Sequence, residues 1–187
     1  MKKFLVLVLL VVAATAFGQF RGYTWGTQRV VVLKENPWLS KEDCFAGGQD
    51  PKSIYFVGFF FLNDGRLARG VQSPTLKGSL TAGDWIDKYE EYQQTLESKY
   101  GKPTSKQEDW TSDSAKLIWG GNRGNALSFR DLKLTTFWTV GDTSIQLSLI
   151  NTGDMFDKGI DLYIVYRSLT LGPILDDEAT ARKAGEL

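Results

Sequence analysis

The chain contains no histidine and only one cysteine, Cys44. Without an imidazole, neither a Ser-His-Asp nor a Cys-His arrangement has its base, and nearly all zinc sites, which combine His with Cys, are excluded. A lone thiol also excludes four-thiolate zinc, iron–sulfur clusters and any internal disulfide. Charge of one sign is lacking as well, since 22 Lys and Arg stand against 22 Asp and Glu. That balance offers nothing to a nucleic acid, whose phosphates demand clustered cations. No apolar run approaches the ~20 residues of a transmembrane helix. The expectation is therefore no cofactor, no metal, no nucleic-acid partner and no membrane span.

What is present begins with an address. Lys2 and Lys3 precede an apolar run from Phe4 to Val12, and small residues continue to Gly18. This is the order of a secretory signal peptide: charged n-region, short h-region, small-residue cleavage zone. Residues 1–18 are read as that leader, with cleavage after Gly18 favoured over cleavage after Ala16, and the expected location is periplasmic or secreted. A bacterial lipoprotein needs a cysteine directly after the apolar run; Cys44 lies too far along, so no such lipid anchor is expected. Removing Lys2 and Lys3 would lower the 22 basic residues to 20 against 22 acidic ones, a formal charge of −2. Cys44 is expected to be a small buried hydrophobe, with a reactive or intermolecular thiol as the sharper alternative.

Residues 19–172 read as one α+β domain, followed by a polar, flexible or helical tail over 173–187. The clearest element is a helix from about Asp84 to Tyr100. Its Trp85, Tyr89, Tyr92, Leu96 and Tyr100 share one face, Thr81 and Asp84 resemble a capping box, and Gly101 and Pro103 stop it. The stripe is expected to pack on a sheet. A short helix over Val30 to Glu35, capped at Thr27, must end before Pro37. Ile54 to Leu62 and Arg66 to Gln72 flank Asp64-Gly65, a hairpin signal. Period-two alternation marks Leu132 to Val140, Ile145 to Leu149 and Leu162 to Tyr166 as strands. Lys116 to Trp119 and Ala126 to Arg130 are added as strands around a hairpin loop at Gly120 to Asn125, giving a meander of four or five antiparallel strands. The fold expected is an antiparallel sheet against one long and one short helix, organised as two helix-plus-strands units in tandem.

The opening Phe20-Arg21-Gly22-Tyr23-Thr24-Trp25-Gly26-Thr27 and the helix end Lys99-Tyr100-Gly101-Lys102-Pro103 resemble those of uncharacterised bacterial secreted proteins. The tandem order is loosely similar to β-lactamase-inhibitor-like and outer-membrane-assembly lipoprotein modules. The latter resemblance implies protein binding without catalysis. The chain departs from those modules in having neither a lipid-bearing cysteine nor paired disulfide cysteines.

What is left to an enzyme is carboxylate chemistry, or a Ser-Lys or Tyr-based site; paired carboxylates are the serious option, because a glycosidase needs only two, held ~5–10 Å apart. Candidates are Asp109, Asp131 and Glu42-Asp43. Asn151 to Gly159 carries oxygen ligands but lacks EF-hand spacing, and reads as an inter-strand loop. The remaining hint is a surplus of aromatics. Phe137, Tyr163 and Val165 alternate with the apparent core residues and so fall on the outer face of the sheet, with Arg123 as a further contact residue. The expected function is a secreted or periplasmic non-catalytic module that binds an envelope protein or a glycan through that face. The alternative is a carboxylate-dependent hydrolase of cell-wall or exogenous glycans.

Overall fold

A computed structural model of the protein describes residues 19–75, 80–153 and 159–185. The expected leader, residues 1–18, lies outside the described residues, as do Asp154 to Lys158 of the oxygen-rich loop. Among the described residues no helix is long and apolar enough to cross a membrane.

The alternating segments and the Asp-Gly hairpin belong to one eight-stranded antiparallel sheet. In its first half a short helix, α1 (Arg29–Glu35), precedes four strands: β3 (Ser40–Glu42), β4 (Phe45–Gln49), β5 (Tyr55–Phe61) and β6 (Leu67–Pro74). In the second half a long helix, α2 (Ala82–Tyr100), precedes β7 (Ser105–Trp110), β8 (Leu132–Val140), β9 (Thr143–Asn151) and β10 (Ile160–Ser168). The strand order is β3-β4-β5-β6-β10-β9-β8-β7. The last strand of each meander thus meets its counterpart at the centre, and the two most polar strands, β3 and β7, lie at the edges. A two-residue-stranded hairpin, β1 (Gln19–Phe20) with β2 (Tyr23–Thr24), stands before α1. Arg21 and Gly22 turn it with φ of 52° and 88°, the left-handed pair that a type I′ turn requires.

Both helices α1 and α2 lie on the inner face. The capping box forms as the sequence predicts: the Asp84 backbone N–H donates to the Thr81 hydroxyl at 3.2 Å, and Thr81 N–H donates to the Asp84 carboxylate at 2.7 Å. The α2 stripe faces the sheet, with Ile86, Tyr89 and Leu96 buried and Trp85, Tyr92 and Tyr100 packed beside them. Each buried phenol needs a polar partner. Tyr89 shares a hydrogen bond of 2.7 Å with Thr136, and Tyr55 donates to Tyr92 at 3.1 Å. Beneath them lie Val57, Phe59 and Phe61 from β5 and Leu134, Trp138, Leu147 and Ile164 from the second meander, all buried.

Two predicted strands are helices. Asp113–Trp119 is α3 and Arg123–Ser128 is α4, and Gly120 to Asn122 joins them instead of turning a hairpin. The apolar run at Lys116 to Trp119 is too short for its period to be read. What decides it is capping: Ser112 accepts from Ala115 N–H at 3.0 Å, and Asn122 accepts from Asn125 N–H at 2.9 Å. The strand that pairs with β8 is β7, a charged edge segment without apolar alternation. The cap of α1 is Gln28, with no side-chain bond to the helix, while the Thr27 hydroxyl donates to Thr24 O at 2.7 Å.

The β6–β10 seam is fastened on both faces. On the inner side Phe20 lies 5.2 Å from both Phe59 and Tyr166 and covers Gly70, leaving no room there for a side chain. On the outer side Arg69 and Arg167 are directly opposed in the register, a like-charge pair that would repel. The C-terminal helix α5 (Gly172–Gly185) lies over this end of the outer face, and Asp176 accepts from both guanidinium groups. Its Leu175 is buried with Leu62 and Ala68.

A methyl group at Gly70 would overlap the Phe20 ring, so Gly70→Ala is expected to lower stability by about 1–3 kcal/mol in urea unfolding. Asp176→Ala leaves two opposed cations without their shared acceptor and is expected to cost about 1–2 kcal/mol. Adding Arg69→Ala should restore part of that loss; a strictly additive double mutant would refute the latch.

Candidate functional site

The register places the outer-face residues in cross-strand rows. One row runs Ser105, Phe137, Gln146, Val165, Val71, Gly58, Gly47, Ser40 through all eight strands. In the adjacent row Tyr163 lies opposite Ser148, which in turn lies opposite Thr135. Phe137, Tyr163 and Val165 are thus brought together on β8 and β10, on either side of β9. All three are half-buried, while the small Ser148 and Thr135 between them are buried. Gln146 donates to Ser148 at 2.8 Å, which fixes its amide within the row. At the far side of the face the Phe45 ring lies over Gly47 and Gly58, and Phe60 packs beside α5. α5 covers the end near Arg69 and Arg167.

Arg123 does not join this surface. It begins α4 and ion-pairs with Glu90 of α2 at 3.0 Å and with Glu108 of β7 at 2.9 Å, tying the small helices to the inner layer. Misreading its loop as a hairpin is what assigned it to a contact role.

The carboxylate candidates fall into two distant groups. Glu42-Asp43 is at the β3 edge and Asp109 at the β7 edge, seven strand spacings of ~4.8 Å away. Asp109 and Asp131 are near one another, because Asp109 pairs with Lys133 and Thr111 N–H donates to Asp131 O at 3.1 Å. Both oxygens of Asp131 are taken, one by the Thr111 hydroxyl and the other by the Trp119 indole N–H at 2.9 Å. A carboxylate so engaged holds α3 to the sheet. Among the described residues no group of three or more acidic, His or Cys side chains is placed to hold a metal ion.

Cys44 differs from expectation in being half-buried. Its sulfur accepts from Arg182 of α5 at 3.2 Å and donates to Asn63 at 3.5 Å, so the thiol is part of the α5 docking contact. Large apolar side chains are also exposed on α3, where Leu117 is 89% and Ile118 68% accessible.

The buried polar centre that the sequence reading missed is Asp50, which is 5% exposed at the end of β4. Its carboxylate accepts from Lys52 N–H at 2.9 Å, from the Ser53 hydroxyl at 2.8 Å and from the Arg21 guanidinium. The Lys52 backbone bond is the main influence holding its carboxyl below the usual range, aided by Ser53 and Arg21 and opposed by burial. Asp-Pro-Lys-Ser between two strands signals an Asx turn. No local pattern signals that Arg21 reaches it from 29 residues upstream.

Asp50→Asn is expected to lower stability by about 1–2 kcal/mol near neutral pH, most of it from the turn, since Arg21 is solvent-exposed. A depressed folded pKa stabilises above the unfolded value of ~3.9 and ceases to do so as pH falls through the folded value. The gap between wild type and variant should therefore be full above about pH 4 and narrow below it. A gap independent of pH would remove the ionised carboxylate from this account.

No family model matches the chain, and no curated protein matches it. Among solved structures, that of a DUF4309 family protein, YjgB from Bacillus subtilis, is similar at a TM-score of 0.44 and 13% sequence identity, covering 82% of this chain and 90% of that chain.

Proposed function

We propose that this protein is an exported, non-catalytic interaction module that binds an envelope protein through the outer face of its sheet. The observation that carries the reading is the half-exposed group formed by Phe137, Val165 and Tyr163, continued by Val71 along the central rows. Eight strands at ~4.8 Å make the face ~34 Å wide, enough for one side of a standard interface of ~800 Å² per partner. Aromatic anchors beside small polar groups are what such interfaces use. Export rests on the leader-like order of residues 1–18. The non-catalytic character rests on the missing histidine and on the engagement of Asp131, the one candidate carboxylate near Asp109.

The test is site-specific photo-crosslinking in the producing cell. A photoreactive residue replacing Phe137 or Tyr163 is expected to give one discrete protein adduct, and the same residue at Asp87 on α2 none. Val165→Glu in the crosslinking chain should abolish the adduct while leaving the melting temperature within a few degrees of wild type. Equal labelling from Asp87, or an adduct indifferent to Val165→Glu, would refute the surface.

A further inference from the structure

The two halves of the fold differ most in their helices. α2 has 19 residues and spans ~28 Å, while α1 has seven and spans ~10 Å. Pro37 forbids continuation of α1, so the inner face of β4 and β5 runs on beyond the helix with nothing helical above it. That space is a cavity of ≈ 520 Å³, closed on one side by the β1–β2 hairpin and on another by the Asp50 turn. Its volume falls within the range of small-molecule sites.

Its walls are aromatic. Trp38 lies against the backbone of Gly48, where a Cβ would be 3.3 Å from the indole Cε3, so the bare glycine lets the ring lie close. Among the described residues the indole N–H of Trp38 has no acceptor. Tyr23 stands edge-on to Phe59 at 5.9 Å and 78°. The polar groups are held in place by one another. Tyr23 donates to Glu35 at 2.7 Å and accepts from the Asn36 amide at 2.8 Å, while Asp50 is fixed from three directions as described. Their charges cancel: Arg21 and Lys52 against Glu35 and Asp50. A site of this kind gives no net attraction to a cation or an anion. It offers a flat apolar surface beside oriented donors and acceptors.

We propose that this cavity binds a neutral saccharide unit, whose pyranose ring combines an apolar C–H face for Trp38 with edge hydroxyls that both donate and accept. The carboxylates here orient hydroxyl groups; Asp50, ionised and triply engaged, is not a general acid. The site is on the inner side of the sheet and does not rest on the outer-face reading.

The experiment is ¹H–¹⁵N NMR titration of the purified protein with chitotetraose, cellotetraose and maltotetraose, with tetragalacturonic acid as an anionic counterpart. The Trp38 indole resonance is assigned by its absence in Trp38→Phe. A saturable shift of that resonance with at least one neutral tetramer is expected, weakened about tenfold or more in Trp38→Ala. If Trp38→Ala does not fold, Trp38→Phe, which keeps an aromatic ring on Gly48, should still weaken binding several-fold. No saturable shift at Trp38 with any neutral tetramer overturns the proposal. So does equal binding of the anionic tetramer, or binding whose shifts fall on Phe137 and Tyr163 and survive loss of Trp38. Crosslinking at the outer face is unaffected by any of these outcomes, so the two readings fail separately.

Discussion

The whole architecture depends on four residue pairs between β6 and β10, from Ile164 with Gln72 to Arg167 with Arg69. Without them the chain is two four-stranded meanders, each with a bare central edge and half a core. The seam is also where the sequence is least forgiving. Gly70 is bare so that Phe20 can lie against both halves at once, and two arginines face each other so that a single carboxylate can bridge them. The β1–β2 hairpin and the α5 helix thus fasten the same joint from opposite faces.

Much of this was legible in the residues, for identifiable reasons. The capping box of α2, its aromatic stripe and the Asp-Gly hairpin are local patterns, and each is realised as read. The outward placement of Phe137, Tyr163 and Val165 follows from strict alternation, which a pleated strand keeps wherever it carries no bulge. Failures occur where local signals were short or conflicting. The short apolar run Leu117-Ile118-Trp119 fits either period, and the Ser112 and Asn122 caps that decide between them are single hydroxyl and amide groups. β7 carries no apolar alternation because, as an edge strand, its residues are almost all exposed.

The candidate sites divide along the same line. The outer face is a repeating feature and can be read from one strand at a time. The cavity beside Asp50 brings together Arg21 of the β1–β2 turn, Glu35 of α1 and Trp38 of the α1–β3 connection, each unremarkable alone. Its only sequence trace is the adjacent glycines at 47 and 48, one under Phe45 outside and the other under Trp38 inside. The shortness of α1 matters as much as any side chain there, since a helix as long as α2 would fill the space.

The seam also imposes an order on the protein's birth. β6 ends at Pro74 and its partner begins at Ile160, so about 85 residues must be synthesised before the first meander can cover its central edge. At ordinary elongation rates that is a wait of roughly 4–17 s. For that time Leu67 to Pro74, paired only with β5, leaves its other edge open on a partly formed sheet, the kind of edge that recruits other chains. The nascent protein has reason to be held unfolded until its last strand emerges.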